Sequence, residues 1–152
     1  MNILSTSYTL KYKSFDIYLA GCKGNPHCEG CQNPESWNFN QGTYYKEMLD
    51  NIKTKINDFG NMIENIMIFG GEPLDQPINQ LTKFLIFLKQ FNKNIWLFTR
   101  YEFKDISDII KVYCDYIKCG RYIKDLKTDD NIQYGIKLAT SNQKIYKRGV
   151  DY

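Results

Sequence analysis

Histidine is nearly missing from this chain: its 152 residues include only His27, set inside a cysteine-rich loop, so no Ser/His/Asp arrangement is available. Long apolar runs are missing too. None approaches the roughly 20 residues that cross a bilayer, and the N-terminus lacks a basic segment followed by an apolar stretch. The protein is therefore expected to be cytoplasmic, with no membrane partner. Charge of either sign is barely in excess: 20 Lys and Arg against 17 Asp and Glu give +3, with the lysines dispersed. No run tracks a phosphate backbone, and no nucleic-acid partner is expected. Internal repeats, low-complexity segments and linkers are absent. With 43% apolar and 15% aromatic residues, the chain is expected to form one globular domain over residues 1–152.

Cysteine is present in an uneven way. There are five, an odd number; Cys22, Cys28 and Cys31 crowd into ten positions while Cys114 and Cys119 lie far downstream. That pattern suits a reducing compartment and a metal site better than a disulfide framework. Cys114 and Cys119 read as small core residues.

Phe15, Ile17 and Leu19 alternate with Asp16, Tyr18 and Ala20 as a strand feeding the cysteine loop, which runs from about Gly21 to Gly42. Thr43 is a candidate N-cap for a helix with Met48, Ile52, Ile56 and Phe59 on one face and Gly60 as its stop. Ile66–Phe69 and Ile95–Phe98 read as buried parallel strands. Between them a helix carries Ile78, Leu81, Leu85 and Leu88, with Asp75 as its cap and Pro77 in its first turn. A short helix through Ile106, Ile109, Ile110 and Tyr113, a strand at Tyr116-Ile117 and a last strand through Ile132, Tyr134, Ile136 and Leu138 complete the pattern. Alternating strands and helices predict an α/β fold with a parallel sheet and the helices outside it. A closed eight-unit barrel needs at least about 200 residues, so an open partial (β/α) barrel is expected.

Two motifs follow predicted strands, at the edge where parallel sheets place their sites. In Cys22-Lys23-Gly24-Asn25-Pro26-His27-Cys28-Glu29-Gly30-Cys31, three soft thiolates could bind three irons of a cubane cluster and leave the fourth iron open. From the loop alone, structural zinc remains an alternative, although zinc normally closes with four ligands. In Gly70-Gly71-Glu72-Pro73, paired glycines admit a ligand close to the backbone, Glu72 offers a carboxylate to an ammonium group, and Pro73 stiffens the turn. Alone, the same residues describe a tight strand-to-helix turn.

Together these motifs resemble the radical S-adenosylmethionine superfamily, in which three cysteines hold a 4Fe-4S cluster and Gly-Gly-Glu-Pro contacts the methionine amino group. The chain is most similar to the anaerobic ribonucleoside-triphosphate reductase activating proteins. The likeness extends to Gly30 before the last cysteine, Cys31-Gln32-Asn33-Pro34-Glu35-Ser36-Trp37, Phe98-Thr99-Arg100-Tyr101 and Ser141-Asn142-Gln143. The resemblance implies Cys22, Cys28 and Cys31 as cluster ligands, and Gly70, Gly71, Glu72 and Pro73 as the S-adenosylmethionine site. It also implies reductive cleavage to a 5′-deoxyadenosyl radical, which makes a glycyl radical on the large reductase subunit, and an electron donor such as flavodoxin or ferredoxin. A small-molecule enzyme resembling the carboxy-deazaguanine synthases and a non-catalytic zinc module are the rival readings. Two features depart from the pattern. Five residues separate Cys22 from Cys28 where three are usual, and Arg100 stands where a small residue is usual. Gly24 with a positive φ, and Pro26 holding Asn25 extended, are expected to turn the added residues outward.

Overall fold

A computed structural model describes residues 1–31 and 33–152; Gln32, part of the Cys31–Trp37 stretch, lies outside the described residues. The chain opens with an antiparallel pair, β1 (Asn2–Thr9) and β2 (Ser14–Ala20), turned at Lys13. After the cysteine loop, β3 (Thr43–Tyr44) pairs with β1 and leads directly into α1 (Tyr45–Phe59). Thr43 is thus a strand residue rather than the expected helix cap. Gly60 does stop α1, with φ 51° and its N–H on the Ile56 carbonyl.

Next come β4 (Asn65–Gly70), α2 (Ile78–Lys89), β5 (Asn94–Phe98), the single-turn α3 (Asp108–Lys111) and β6 (Tyr116–Cys119). Pro77 occupies the N-cap of α2, and Ile78 is 53% exposed rather than part of the buried face. The expected last strand is instead a small hairpin of β7 (Ile132–Gln133) and β8 (Ile136–Lys137), because Tyr134 and Gly135 both take positive φ and reverse the chain. The true last strand is β9 (Lys144–Lys147).

Among the described residues these strands form a seven-stranded sheet in the order β3-β1-β2-β4-β5-β6-β9. Its four central strands are parallel and its flanks antiparallel, so the sheet is mixed rather than wholly parallel. Alternation divides the side chains between two faces. Phe15, Ile17, Leu19, Ile66, Ile68, Ile95, Leu97 and Ile117 pack on Ile52 and Ile56 of α1, Leu81, Phe84, Leu85 and Leu88 of α2, and Ile110 of α3. On the other face Met67 and Trp96 pack with Ile136, Leu138 and Ile145. Both faces of the parallel strands are covered, which is why those strands read as apolar runs. Each fully buried aliphatic side chain contributes about 1.5–3 kcal/mol. Because β2, β4, β5 and β6 run the same way, the loops starting at Gly21, Gly71, Thr99 and Gly120 leave from one edge. Among the described residues, no helix is long and apolar enough to cross a membrane.

Candidate functional site

The first cysteine stands where β2 ends. The Gly21 N–H donates to the Ser36 carbonyl (2.7 Å), the Cys22 N–H to the Trp37 carbonyl (3.1 Å), and the Lys23 N–H to the Asp75 carboxylate (2.6 Å). The peptide groups on both sides of Cys22 are therefore held. His27, near the end of the gap, lies back against its start, with Nε2 3.1 Å from the Cys22 carbonyl and the imidazole on Trp37, centroids 3.9 Å apart. His27 is thus a packed residue rather than a freely solvated one. Gly24 does not take the expected positive φ. Space beside it is tight, since a Cβ there would lie 3.1 Å from His27 Cα. Trp37 and Phe39 pack against the loop: a Cβ on Gly21 would meet the Phe39 ring at 2.1 Å.

The glycine motif fits against this junction. The Gly71 N–H donates to the Leu19 carbonyl (2.9 Å), and the Glu72 N–H to the Gly21 carbonyl (2.8 Å). A Cβ on Gly71 would come within 2.2 Å of the Gly21 carbonyl oxygen and 2.7 Å of that of Ser36, so only glycine lets the three segments converge. Pro73 opens a 3-10 turn to Asp75, and Glu72 caps it by accepting the Leu74 N–H at 3.0 Å.

The Glu72 carboxylate has a posture the sequence did not suggest. Expected to face an ammonium group, it is 1% exposed and accepts the Thr99 hydroxyl (2.6 Å) and the Arg100 N–H (2.8 Å) as well as Leu74. Burial pushes its pKa above the usual carboxylate range, and the three donors oppose that shift without overcoming it. Asp75, expected to cap α2, instead accepts Lys23 N–H, Arg100 Nη2 and the Tyr101 hydroxyl, while Pro77 stands at the helix cap.

Beside this junction lies an open cavity of about 520 Å³, whose lining includes Cys28, Cys31, Thr99, Arg100, Lys118 and Gln143. Cys22 stands outside that lining, and all three loop cysteines are half-buried free thiols. Burial raises the Cys22 pKa. Arg121, Lys127 and Lys137 add to the basic wall, with Lys137 paired to Asp129 at 2.6 Å. Lys118 donates to the Gly120 carbonyl (2.7 Å), and burial lowers its pKa to about 8. It could have been found from alternation on β6, where Ile117 and Cys119 face the helices and Tyr116 and Lys118 face the other way. Lys127 carried no sequence signal. Of the Ser141-Asn142-Gln143 stretch, Gln143 reaches the cavity and ties Gly120 to Ala139 and Thr140 through its amide. Cys114 and Cys119 lie in the core on the helical face, as expected, and burial pushes the Cys119 thiol up to about 12.

The donor set fits an iron–sulfur cluster in its chemistry: three soft thiols share one loop, and a basic wall beside two of them complements an anionic group. Among the described residues, no three His, Cys, Asp or Glu side chains gather closely enough to hold one metal ion.

The chain belongs to the family of 4Fe-4S single cluster domains, which it matches over residues 13–146. It is 31% identical over 121 residues to the anaerobic ribonucleoside-triphosphate reductase-activating protein of Enterobacteria phage T4, covering 74% of this chain and 72% of that relative. Likenesses of 29% over 143 residues and 28% over 141 residues link it to the proteins of the same name from Salmonella typhimurium strain LT2 and Escherichia coli strain K12. Each of these covers 86% of this chain and 85% of the relative. Within the single-cluster family, then, the chain is one of the anaerobic ribonucleoside-triphosphate reductase-activating proteins.

Proposed function

We propose that this chain is a glycyl-radical-activating enzyme of the radical S-adenosylmethionine type, acting on the large subunit of an anaerobic ribonucleotide reductase. The observation that carries the reading is the physical union of the two motifs. Glu72 N–H on the Gly21 carbonyl and Lys23 N–H on Asp75 join the cysteine loop to the Gly-Gly-Glu-Pro turn at one sheet edge. The relatives' names supply the class of partner.

Cys22, Cys28 and Cys31 would hold the cluster. When bound, the cluster supplies the electron that cleaves S-adenosylmethionine and so yields the radical that takes hydrogen from the reductase glycine. Gly70, Gly71, Glu72 and Pro73 would receive the amino-acid end of S-adenosylmethionine. The glycines admit it to the backbone, and the Glu72 carboxylate keeps the turn in shape through Leu74, Thr99 and Arg100. Lys118, Arg121 and Lys127 favour anionic groups in the cavity by charge alone. Four parallel strands with helices on one face are consistent with an open partial barrel formed by a single domain over residues 1–152. Flavodoxin or ferredoxin as electron donor, a cytoplasmic location, and the absence of nucleic-acid and membrane partners complete the proposal.

The test is anaerobic reconstitution followed by reaction with dithionite, S-adenosylmethionine and the matching reductase. About four irons and four sulfides per chain are expected, together with a glycyl doublet in electron paramagnetic resonance, located on the reductase. Cys22→Ala, Cys28→Ala and Cys31→Ala should each lose the cluster, whereas Cys114→Ala and Cys119→Ala should keep it. One tightly held zinc and no iron would overturn the reading. Cleavage of S-adenosylmethionine without a glycyl signal would turn it toward a small-molecule substrate.

A further inference from the structure

We propose that Asp75 is a positioning residue for the first cysteine, tying the peptide that leaves Cys22 to the Arg100 guanidinium through one buried carboxylate. The proposal rests on the reading of Cys22 as a cluster ligand and adds the device that sets its place.

Asp75 sits in the turn after the glycine motif, 5% exposed. Its carboxylate serves partners far along the chain. Oδ2 accepts the Lys23 N–H at 2.6 Å and Arg100 Nη2 at 3.2 Å, while Oδ1 accepts the Tyr101 hydroxyl at 2.7 Å. Lys23 directly follows Cys22, so fixing its N–H fixes the peptide plane through which the Cys22 backbone leaves. The Cys22 N–H, on Trp37, fixes the plane by which it enters. With both planes held, the thiol keeps only rotation about its own side chain.

The arginine answers to the same carboxylate. A buried acid needs a counter-charge, and among the described residues the Arg100 guanidinium is the one cation paired with Asp75. Glu72 holds the backbone N–H of the same arginine, so neighbouring buried acids grip it at both ends. A small residue at position 100 would leave Asp75 with Lys23 and Tyr101 alone and an unneutralised charge. The peptide that leaves Cys22 and the Arg100 guanidinium therefore meet at one atom, Asp75 Oδ2.

The experiment uses the full-length chain with Asp75→Ala, Asp75→Asn, Arg100→Ala and the Asp75→Ala/Arg100→Ala double variant. The rate of iodoacetamide labelling at each loop cysteine is read by mass spectrometry before reconstitution, and the electron paramagnetic resonance spectrum of the reduced cluster afterwards. Asp75→Ala should speed labelling of Cys22 by about tenfold while leaving Cys28 and Cys31 within about twofold, as release of a local constraint would. It should also alter the cluster spectrum. Asp75→Asn still offers an oxygen to Lys23 N–H and should hold the wild-type Cys22 rate. The double variant should match Asp75→Ala, since residues sharing one network are not additive. Unchanged Cys22 labelling, equal acceleration of all three cysteines, or additive effects in the double variant would each overturn the proposal. If the wild-type chain takes up no cluster, it is the functional reading that falls, and the labelling arm still decides whether Asp75 constrains Cys22.

Discussion

Under the proposed function, Glu72→Gln separates two roles that one carboxylate could have: meeting the ammonium of S-adenosylmethionine directly, or holding the turn that would meet it. The glutamine oxygen can keep the Thr99 hydroxyl and the Leu74 N–H, but its amide nitrogen then faces the Arg100 N–H, donor against donor. One hydrogen bond to a charged group is lost, worth about 1.5–3 kcal/mol, and the lighter desolvation of a neutral amide returns part of it. A net loss of about 1–2 kcal/mol is expected in anaerobic urea unfolding. Glu72→Ala strands three donors and should cost about 3–5 kcal/mol, a large share of a small domain's stability. The glutamine variant is therefore the one to assay.

The pH dependence has a definite sign. Because burial raises the folded pKa of Glu72, the native state keeps a proton that the unfolded chain has lost. Stability contributed by this group is greatest below the ordinary value of 4.5, falls as pH rises toward the folded pKa, and is flat above it. Glu72→Gln should erase that slope. If Glu72 is a strut, calorimetry should find S-adenosylmethionine affinity within about threefold of wild type. Direct contact would instead cost about tenfold to a hundredfold. Wild-type unfolding combined with such an affinity loss would refute the strut.

Gly71→Ala should lower the urea midpoint and cost the protein its cluster, since the new Cβ meets the backbone oxygens of Gly21 and Ser36, which cannot rotate aside. Overpacking of this kind costs about 1–3 kcal/mol or more. Gly60→Ala, where a Cβ meets nothing within 4 Å, should carry only its left-handed backbone penalty and leave cluster content unchanged. At Asp115, burial raises the pKa, but the Ile95 N–H, the Lys89 ammonium and the Arg148 guanidinium outweigh it and hold the group below its usual range. Its stabilisation is present above the unfolded carboxylate pKa and is lost as pH falls through the depressed folded value. Asp115→Asn should flatten that acid limb of a pH–stability curve and cost about 1.5–3 kcal/mol at neutral pH; an unaltered limb would show that Asp115 is not what the acid titrates.

How much could be read from the chain followed from how each element earns its stability. β2, β4 and β5 are buried on both faces and announce themselves as apolar runs, and the glycines and cysteines after them mark the site edge. β1 and β9 do not announce themselves. In β1 only Ile3 is fully covered, and in β9 only Ile145 is, because these antiparallel strands depend on pairing with a neighbour already in place. The hairpin of β7 and β8 reads as one strand in sequence because its turn places Tyr134, an unusual residue for positive φ, ahead of Gly135.

The two acids of the site show the same limit more sharply. Glu72 and Asp75 have local sequence roles that are chemically sound, one as an ammonium acceptor and the other as a helix cap. Each is overruled by donors that the chain brings from far away: Thr99 and Arg100 for Glu72, and Lys23, Arg100 and Tyr101 for Asp75. A buried carboxylate is committed by the number of donors within reach, since each unmatched lone pair or charge carries a desolvation penalty. Sequence spacing reports only the donors nearby. The candidate ligands, Cys22, Cys28 and Cys31, are legible because they share one loop, whereas the donors that meet Glu72 and Asp75 become visible only when strands distant in sequence lie side by side.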